Sequence, residues 1–254
     1  MSALVLLHGF AGSPASFDAL LEELEPHRRG LSVFRPALLG HDPSTPNTEV
    51  RCFEDEVDRL AALIRAAGFT GSCLCGYSLG ARLALGLLAR HPYLFRSAIL
   101  IGVNPGLSSD AERARRVGID ERWCELLLRQ GMQAFSAAWE AQPLFATQAR
   151  IDPAQREAQR RLRQSHVAAG LARSLRVLGL GQMPDYRGVS IIQPLRVRLV
   201  VGALDTKFER LARELCRTSP RAALDVIPNA GHNLPLEVPR ELGRVLVKAL
   251  EDRA

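Results

Sequence analysis

Apolar residues follow two rhythms along this chain. Short, mostly apolar runs lie at Ala3–Leu7, Leu31–Phe34, Ser72–Cys75, Ser97–Ile101, Arg198–Gly202 and Leu224–Ile227, with Ser32 and Asp225 the interior polar residues of the second and sixth. Runs of this length without alternation are the pattern of strands buried on both faces. Between them the spacing lengthens to that of helices. Phe17, Leu20, Leu21 and Leu24 share one face after Ser13-Pro14, a capping residue followed by a proline suited to the first helical position. Val57, Leu60, Leu63 and Ile64 share a face of a helix over Phe53–Ala67. Further helices are predicted at Leu79–Ala89, Lys207–Cys216 and Pro239–Glu251. Strands alternating with helices predict an α/β fold with a mostly parallel sheet flanked by helices.

From Asn104 to about Gly188 the rhythm changes and no strand is readable. Helical stretches at Asp110–Gly118, Glu121–Gln130, Gln133–Ala141, Pro153–Ser165 and Val167–Gly179 are separated by glycine or proline. The domain reading is therefore a core of residues 1–103 and 189–254, interrupted by a helical lid over 104–188. The loop over Pro36–Asn47 holds Leu39-Gly40-His41-Asp42. There are no internal repeats and no low-complexity segments.

The third apolar run passes directly into Gly76-Tyr77-Ser78-Leu79-Gly80, and a helix follows at once. A strand that turns straight into a helix strains the backbone at the serine, and the flanking glycines leave room for the turn. This is the nucleophile elbow of the α/β-hydrolase architecture, with Ser78 exposed above the sheet. The first free N–H groups of the new helix, that of Leu79 above all, face any negative charge formed there. The loop after the first strand, His8-Gly9-Phe10-Ala11-Gly12, lies at the same carboxyl edge, so the N–H of Phe10 can pair with that of Leu79 as an oxyanion hole. Asp205 follows the fifth run in Gly-Ala-Leu-Asp, and His232 follows the sixth in Ala-Gly-His. The order Ser78, Asp205, His232 suits a triad in which His232 takes the serine proton and Asp205 holds the imidazole. His41 reads equally as a pocket residue or a turn residue, and His166 has no evident partner in the sequence.

Composition narrows the setting. At 254 residues with 47% hydrophobic content, the chain can bury a large core. No apolar run approaches a membrane span, and Met1-Ser2-Ala3 carries no signal-peptide pattern. Cys52, Cys73, Cys75, Cys124 and Cys216 are odd in number and lack metal-ligand spacing, which suits a reducing, cytoplasmic compartment and no metal. Formal net charge is +6, and every basic residue except Lys207 and Lys248 is arginine. No basic stripe interleaved with aromatics points to nucleic acid. The helical insertion carries 13 arginines against nine carboxylates, an excess that would draw an anionic small molecule. Arg82 sits one turn after Ser78, near a helix N-terminus where a cation gains nothing from the dipole. A substrate carboxylate would explain it, as would a surface salt bridge.

A narrower resemblance rests on several stretches together. These are Gly-Tyr-Ser-Leu-Gly-Ala-Arg at the elbow, Asn104-Pro105-Gly106-Leu107, Glu112-Arg113-Ala114-Arg115-Arg116, Trp139, Gln142-Pro143-Leu144-Phe145, Arg160-Arg161-Leu162-Arg163 and Gly202-Ala203-Leu204-Asp205-Thr206-Lys207-Phe208. From Leu4 almost to the C-terminus the chain resembles the 2-succinyl-6-hydroxy-2,4-cyclohexadiene-1-carboxylate synthases of menaquinone biosynthesis. The resemblance implies a lyase that expels pyruvate from an enolpyruvyl-bearing cyclohexene dicarboxylate, with the triad as base and no cofactor. It implies substrate contacts from Tyr77, Arg82, Arg116, Trp139, Phe145 and Arg163, with Arg160 and Arg161 close enough in sequence to contest the last match. Two departures stand out. Many members carry an N-terminal β-hairpin before the first strand here, so a shorter sheet is expected. Leu38-Leu39-Gly40-His41-Asp42 also replaces the more usual Leu-Pro-Gly-His-Gly.

Two other functions fit the same triad. A carboxylesterase or C–C hydrolase would act through an acyl-enzyme, and a binding protein would use the fold without chemistry. An inward-pointing arginine set favours the lyase over an esterase for neutral esters, and an intact triad disfavours mere binding. The sequence leaves the oligomeric state open and is compatible with a monomer.

Overall fold

The structure, a computed structural model, describes residues 2–25, 30–42, 49–187, 195–219 and 221–251. Six parallel strands form one sheet in the order β2-β1-β3-β4-β5-β6. They are β1 (Ser2–Leu7), β2 (Leu31–Phe34), β3 (Ser72–Tyr77), β4 (Phe95–Ile101), β5 (Arg196–Gly202) and β6 (Ala222–Ile227). All six apolar runs are strands. Helices α1 (Asp18–Leu24), α2 (Phe53–Ala66) and α3 (Leu79–Arg90) follow the first three strands. Then α4 (Asp110–Glu140), α5 (Pro153–Gln164) and α6 (Ala168–Leu178) separate β4 from β5. After β5 come α7 (Thr206–Thr218), α8 (Leu234–Glu237) and α9 (Pro239–Glu251).

Side chains that alternate along β1 divide the core. Val5 and Leu7 join one layer with α2, α3 and α7, while Leu4 and Leu6 join the other with α1 and α9. Cys73 and Cys75 are buried in the second layer, as their alternation along β3 predicts. The first helical turn after Ser13 is tighter than expected. Pro14–Phe17 is a 3₁₀ turn, capped by Ser13 Oγ accepting from the N–H of Ala15, and α1 begins only at Asp18.

The stretch between β4 and β5 is helical as expected, but its division differs. Of the three helices expected over 110–141, the first two run together through Gly118, which stays helical, and the third continues beyond a kink within α4. One glycine costs a helix interior about 1 kcal/mol against alanine, too little to break it where both flanks are good helix formers. The break expected between Gln130 and Gln133 is present at Gly131, whose φ of 76° and ψ of −176° kink the helix. A 3₁₀ stretch, Pro143–Arg150, follows that the sequence pattern does not signal. Residues 43–47 of the expected loop and Gly188 lie outside the described residues. Phe135, Leu127, Cys124, Leu171 and Leu175 make a small core between α4 and α6, and Phe10 and Trp139 pack at its margin.

Candidate active site

Every side chain proposed for chemistry sits at the carboxyl edge of the sheet, where parallel strands deliver their loops. Ser78 leaves β3 with φ 52° and ψ −105°, a strained left-handed conformation, and α3 begins at the next residue. The two glycines of the elbow are required by contact. A Cβ on Gly76 would lie 2.4 Å from the carbonyl oxygen of Gly80, and one on Gly80 would lie 2.0 Å from that of Leu7. The elbow is thus wedged against the end of β1. The first loop is equally close, since a Cβ on Gly9 would meet the Tyr77 ring at 2.7 Å and Ser78 Cβ at 3.7 Å.

Ser78, His232 and Asp205 come together. His232 Nε2 lies 3.1 Å from Ser78 Oγ, and its Nδ1 lies 2.6 Å from Asp205 Oδ2. Both His232 and Asp205 are buried. Asp205 has a second task, because its Oδ1 accepts the N–H of Phe208 at 3.4 Å and so caps α7. Phe208 in turn packs its ring 4.4 Å from that of His232. Gly102 takes φ 56° beside the imidazole, and a Cβ there would approach His232 Cε1 to 2.8 Å. One residue the sequence did not flag is Glu237. Its carboxylate accepts the N–H of Gly231 at 2.7 Å and that of Asn233 at 3.0 Å, the two amides on either side of His232. Backbone amides carry no side-chain signature, so no pattern could have revealed it.

Two chambers open beside the serine. Ser78, Leu79 and His232 border a cavity of about 150 Å³ into which Arg82, Arg116 and Lys207 also face. Tyr77, Phe10, Trp139 and Phe145 border this cavity and also a second one of about 340 Å³. Trp139 stands 5.1 Å from Phe10 and 6.0 Å from Phe145, and Phe145 stands 6.3 Å from His232. Burial drives the Tyr77 phenol upward, reinforced by Glu237 and Asp205, so it remains a neutral hydroxyl.

The arginines separate. Arg82 donates to the carbonyl of Leu178 at 2.7 Å. Burial pushes its guanidinium down to about 9, helped by Arg116 and opposed by Asp120, and it is still cationic at neutral pH. Arg116 pairs with Asp120 Oδ1 at 2.9 Å. Asp120 Oδ2 is buried and has no hydrogen-bond partner among the described residues. Burial raises the Asp120 carboxyl, against the pull of Arg116 and Arg82. Arg163 is not with them. It borders the larger chamber and pairs with Glu140 at 2.5 Å, while its buried Nε has no partner among the described residues. Arg160 also binds Glu140, at 2.9 Å, and Arg161 reaches Glu157 at 3.8 Å. Of the three neighbouring arginines, Arg163 is the one that borders a chamber. Lys207 completes the small chamber's cationic lining, and Asp120 stands behind Arg116 as its partner. The only sequence hint for Lys207 was its place in Asp205-Thr206-Lys207-Phe208, and Asp120 gave none. Among the described residues no group of three or more His, Cys, Asp or Glu side chains is arranged to hold a metal ion.

The model of the alpha/beta hydrolase family matches residues 4–245. A 2-succinyl-6-hydroxy-2,4-cyclohexadiene-1-carboxylate synthase of Enterobacter sp. (strain 638) is 32% identical over 250 residues, covering 98% of this chain and 92% of its own. A protein of the same name from Escherichia coli (strain K12 / DH10B) is 32% identical over 236 residues, covering 93% of this chain and 88% of its own. Among solved structures, MenH from S. aureus is similar with a TM-score of 0.92 at 24% identity, covering 99% of this chain and 94% of that one. A thermophilic esterase from Thermogutta terrifontis is similar with a TM-score of 0.79 at 24% identity, covering 98% and 89%. These two structural likenesses speak for the fold.

Proposed function

The chain belongs to the alpha/beta hydrolase family, and from there we propose that it is a carbon–oxygen lyase. It eliminates pyruvate from 2-succinyl-5-enolpyruvyl-6-hydroxy-3-cyclohexene-1-carboxylate to give 2-succinyl-6-hydroxy-2,4-cyclohexadiene-1-carboxylate in menaquinone biosynthesis. The observation that carries this reading is the small chamber, where Arg82, Arg116 and Lys207 line the same cavity as Ser78 and, among the described residues, only Arg116 is ion-paired, with Asp120. A neutral ester has no use for such a charge excess, whereas carboxylates leaving water require charged, hydrogen-bonded partners. The synthase relatives support the same substrate class.

The proposed reaction is a proton abstraction followed by loss of a leaving group. The substrate carries a ring C–H beside the succinyl ketone, and that position is also allylic to the ring double bond. Ser78 Oγ takes this proton as its own passes to His232 Nε2, with Asp205 holding the imidazole through Nδ1. Charge spreads onto the ketone oxygen, which the N–H groups of Phe10 and Leu79 stabilise. The electron pair moves through the ring, the double bond shifts, and the allylic C–O bond breaks. Enolpyruvate departs, takes up a proton and becomes pyruvate. Water is not a reactant and no acyl-enzyme forms. The arginines hold the carboxylates so that the C–H faces Ser78. Trp139 and Phe145, carried by the 104–188 segment acting as a lid, keep water away.

The test is pyruvate release from the ring substrate, followed by coupled oxidation of NADH. The wild type should turn over, and Ser78→Ala should lose activity by a factor on the order of 10⁴ or more. A wild type that releases no pyruvate, or a Ser78→Ala enzyme with near-normal turnover, would sink the reading. In water labelled with heavy oxygen, label placed in an acid product by the chemical step would instead identify a hydrolase.

A further inference from the structure

Three histidines outside the triad clasp the loop that carries the Phe10 amide. His8 Nδ1 donates to the carbonyl of Gly9 at 2.8 Å, and its Nε2 accepts the N–H of Leu38 at 3.3 Å. His41 Nδ1 donates to the carbonyl of Leu39 at 3.0 Å, and its Nε2 accepts the N–H of Ala11 at 3.0 Å. The His41 ring stands 4.9 Å from that of His8 and 5.4 Å from that of His166. All three rings are buried, and burial holds each below its ordinary pKa. The rings are therefore neutral in the working range, which leaves the two Nε2 lone pairs able to accept.

The residue His41 holds is strained. Ala11 has φ 56°, and only Ser78 and Asn229 share that sign among the described non-glycine residues. Gly12 N–H closes onto the carbonyl of Gly9 at 3.1 Å, so Phe10 and Ala11 are the central pair of a tight turn. Its second central position suits glycine, and alanine adopts it only when the surroundings over-determine it. The bond to His41 supplies that constraint. Without an acceptor there, the 10–11 peptide can turn over, Ala11 can relax to negative φ, and Phe10 moves with it.

We propose that His41 is a positioning residue: by accepting the Ala11 N–H, it fixes the left-handed turn that aims the Phe10 N–H at the reacting oxygen. This rests on the reading of the Phe10 amide as an oxyanion donor. It also gives a use to a histidine that the sequence left undecided between pocket and turn.

The test compares His41→Leu, which fills a similar volume without an acceptor, with His41→Gln, which places an amide oxygen near the position of Nε2. His41→Asn, whose amide ends near the position of Nδ1, takes the place of the leucine variant should that one fail to fold. Steady-state pyruvate release and amide hydrogen exchange at Ala11 are measured on each. His41→Leu or His41→Asn should lower kcat on the order of 10²-fold, the scale of a small misplacement at a reacting centre, with KM nearly unchanged. Protection at Ala11 should be lost. His41→Gln should recover at least tenfold of that kcat and restore protection, whereas a packing role would not favour glutamine over leucine. Ala11 still protected in His41→Leu or His41→Asn overturns the clasp. Ala11 unprotected with kcat intact shows that the clasp is real but the Phe10 amide is not used, which overturns the proposal through the reading on which it rests. The exchange arm needs no substrate, so failure of the reaction and failure of the clasp are told apart.

Discussion

Arg82 and Arg163 both sit in apolar surroundings, but their partners make them unlike. A guanidinium has five N–H donors in a fixed fork. Arg82 gives one nitrogen to the Leu178 carbonyl and presents the rest of the group beside Ser78. Arg163 is matched by Glu140, which also holds Arg160. Arg82→Ala should therefore lower kcat/KM by roughly 2–5 kcal/mol, the cost of leaving a buried charge on the ligand unpaired. Arg163→Ala should cost at least tenfold less, because Glu140 keeps Arg160 and the small chamber keeps its charge. Equal losses in steady-state kinetics would mean that Arg163 leaves Glu140 for the substrate. The sequence made both arginines look alike because their positions were matched to a pattern, while the difference lies in a carboxylate 23 residues away. The triad was legible for the opposite reason. Each member ends an apolar strand, so chain order and parallel topology alone place the three on one edge.

Helix α4 carries two internal glycines with opposite roles. Gly118 is helical, and no heavy atom lies within 4 Å of where its Cβ would stand. Gly118→Ala should therefore stabilise the protein by about 0.5–1 kcal/mol through lower backbone entropy in the unfolded chain. Gly131 has equally open space but φ 76°, so a Cβ there is strained by the backbone alone. Gly131→Ala should destabilise by about 1–2 kcal/mol. Urea unfolding of the two single variants checks both signs, and two shifts in the same direction would refute the assignment of the kink. The kink also matters for the site. Arg116 lies before it and borders the small chamber, and Trp139 lies after it and borders both. Reading a break at each glycine was reasonable from the chain alone. Local composition does not say which one bends, since both have open space at Cβ and differ only in backbone φ.

Over the whole molecule, the six-stranded frame was legible because its buried inner strands are written as nearly continuous apolar runs, its half-buried edge strands β2 and β6 as short runs with a polar residue inside, and the helices as spaced ones. The histidine cluster at its edge was not, because His8, His41 and His166 come from three distant segments and meet only in the fold. That cluster sets an acid limit on stability. His41 faces His8 and His166, and His166 also feels Arg163, so a proton entering here meets positive or neutral neighbours and little water. Burial lowers His8 from 6.5 to about 4, and His41 and His166 are lowered in the same direction. Between the folded and unfolded values the unfolded chain binds more protons, so stability rises with pH across that window. The stabilisation is complete above about pH 6.5 and is lost progressively as pH falls toward about 4. For His8 alone the full span corresponds to about 3 kcal/mol at 1.36 kcal/mol per unit. The surface carboxylates Asp58 and Glu121, which arginines hold below their ordinary range, lose their contribution only at lower pH. Unfolding by urea at pH 7.5 and pH 5.0 should thus show a marked fall in the midpoint. A His8→Asn variant, though less stable at pH 7.5, should show a smaller fall than the wild type because one of the groups that must charge is gone. Equal midpoints at the two pH values, or an unchanged slope in the variant, would show that these buried rings do not govern acid stability.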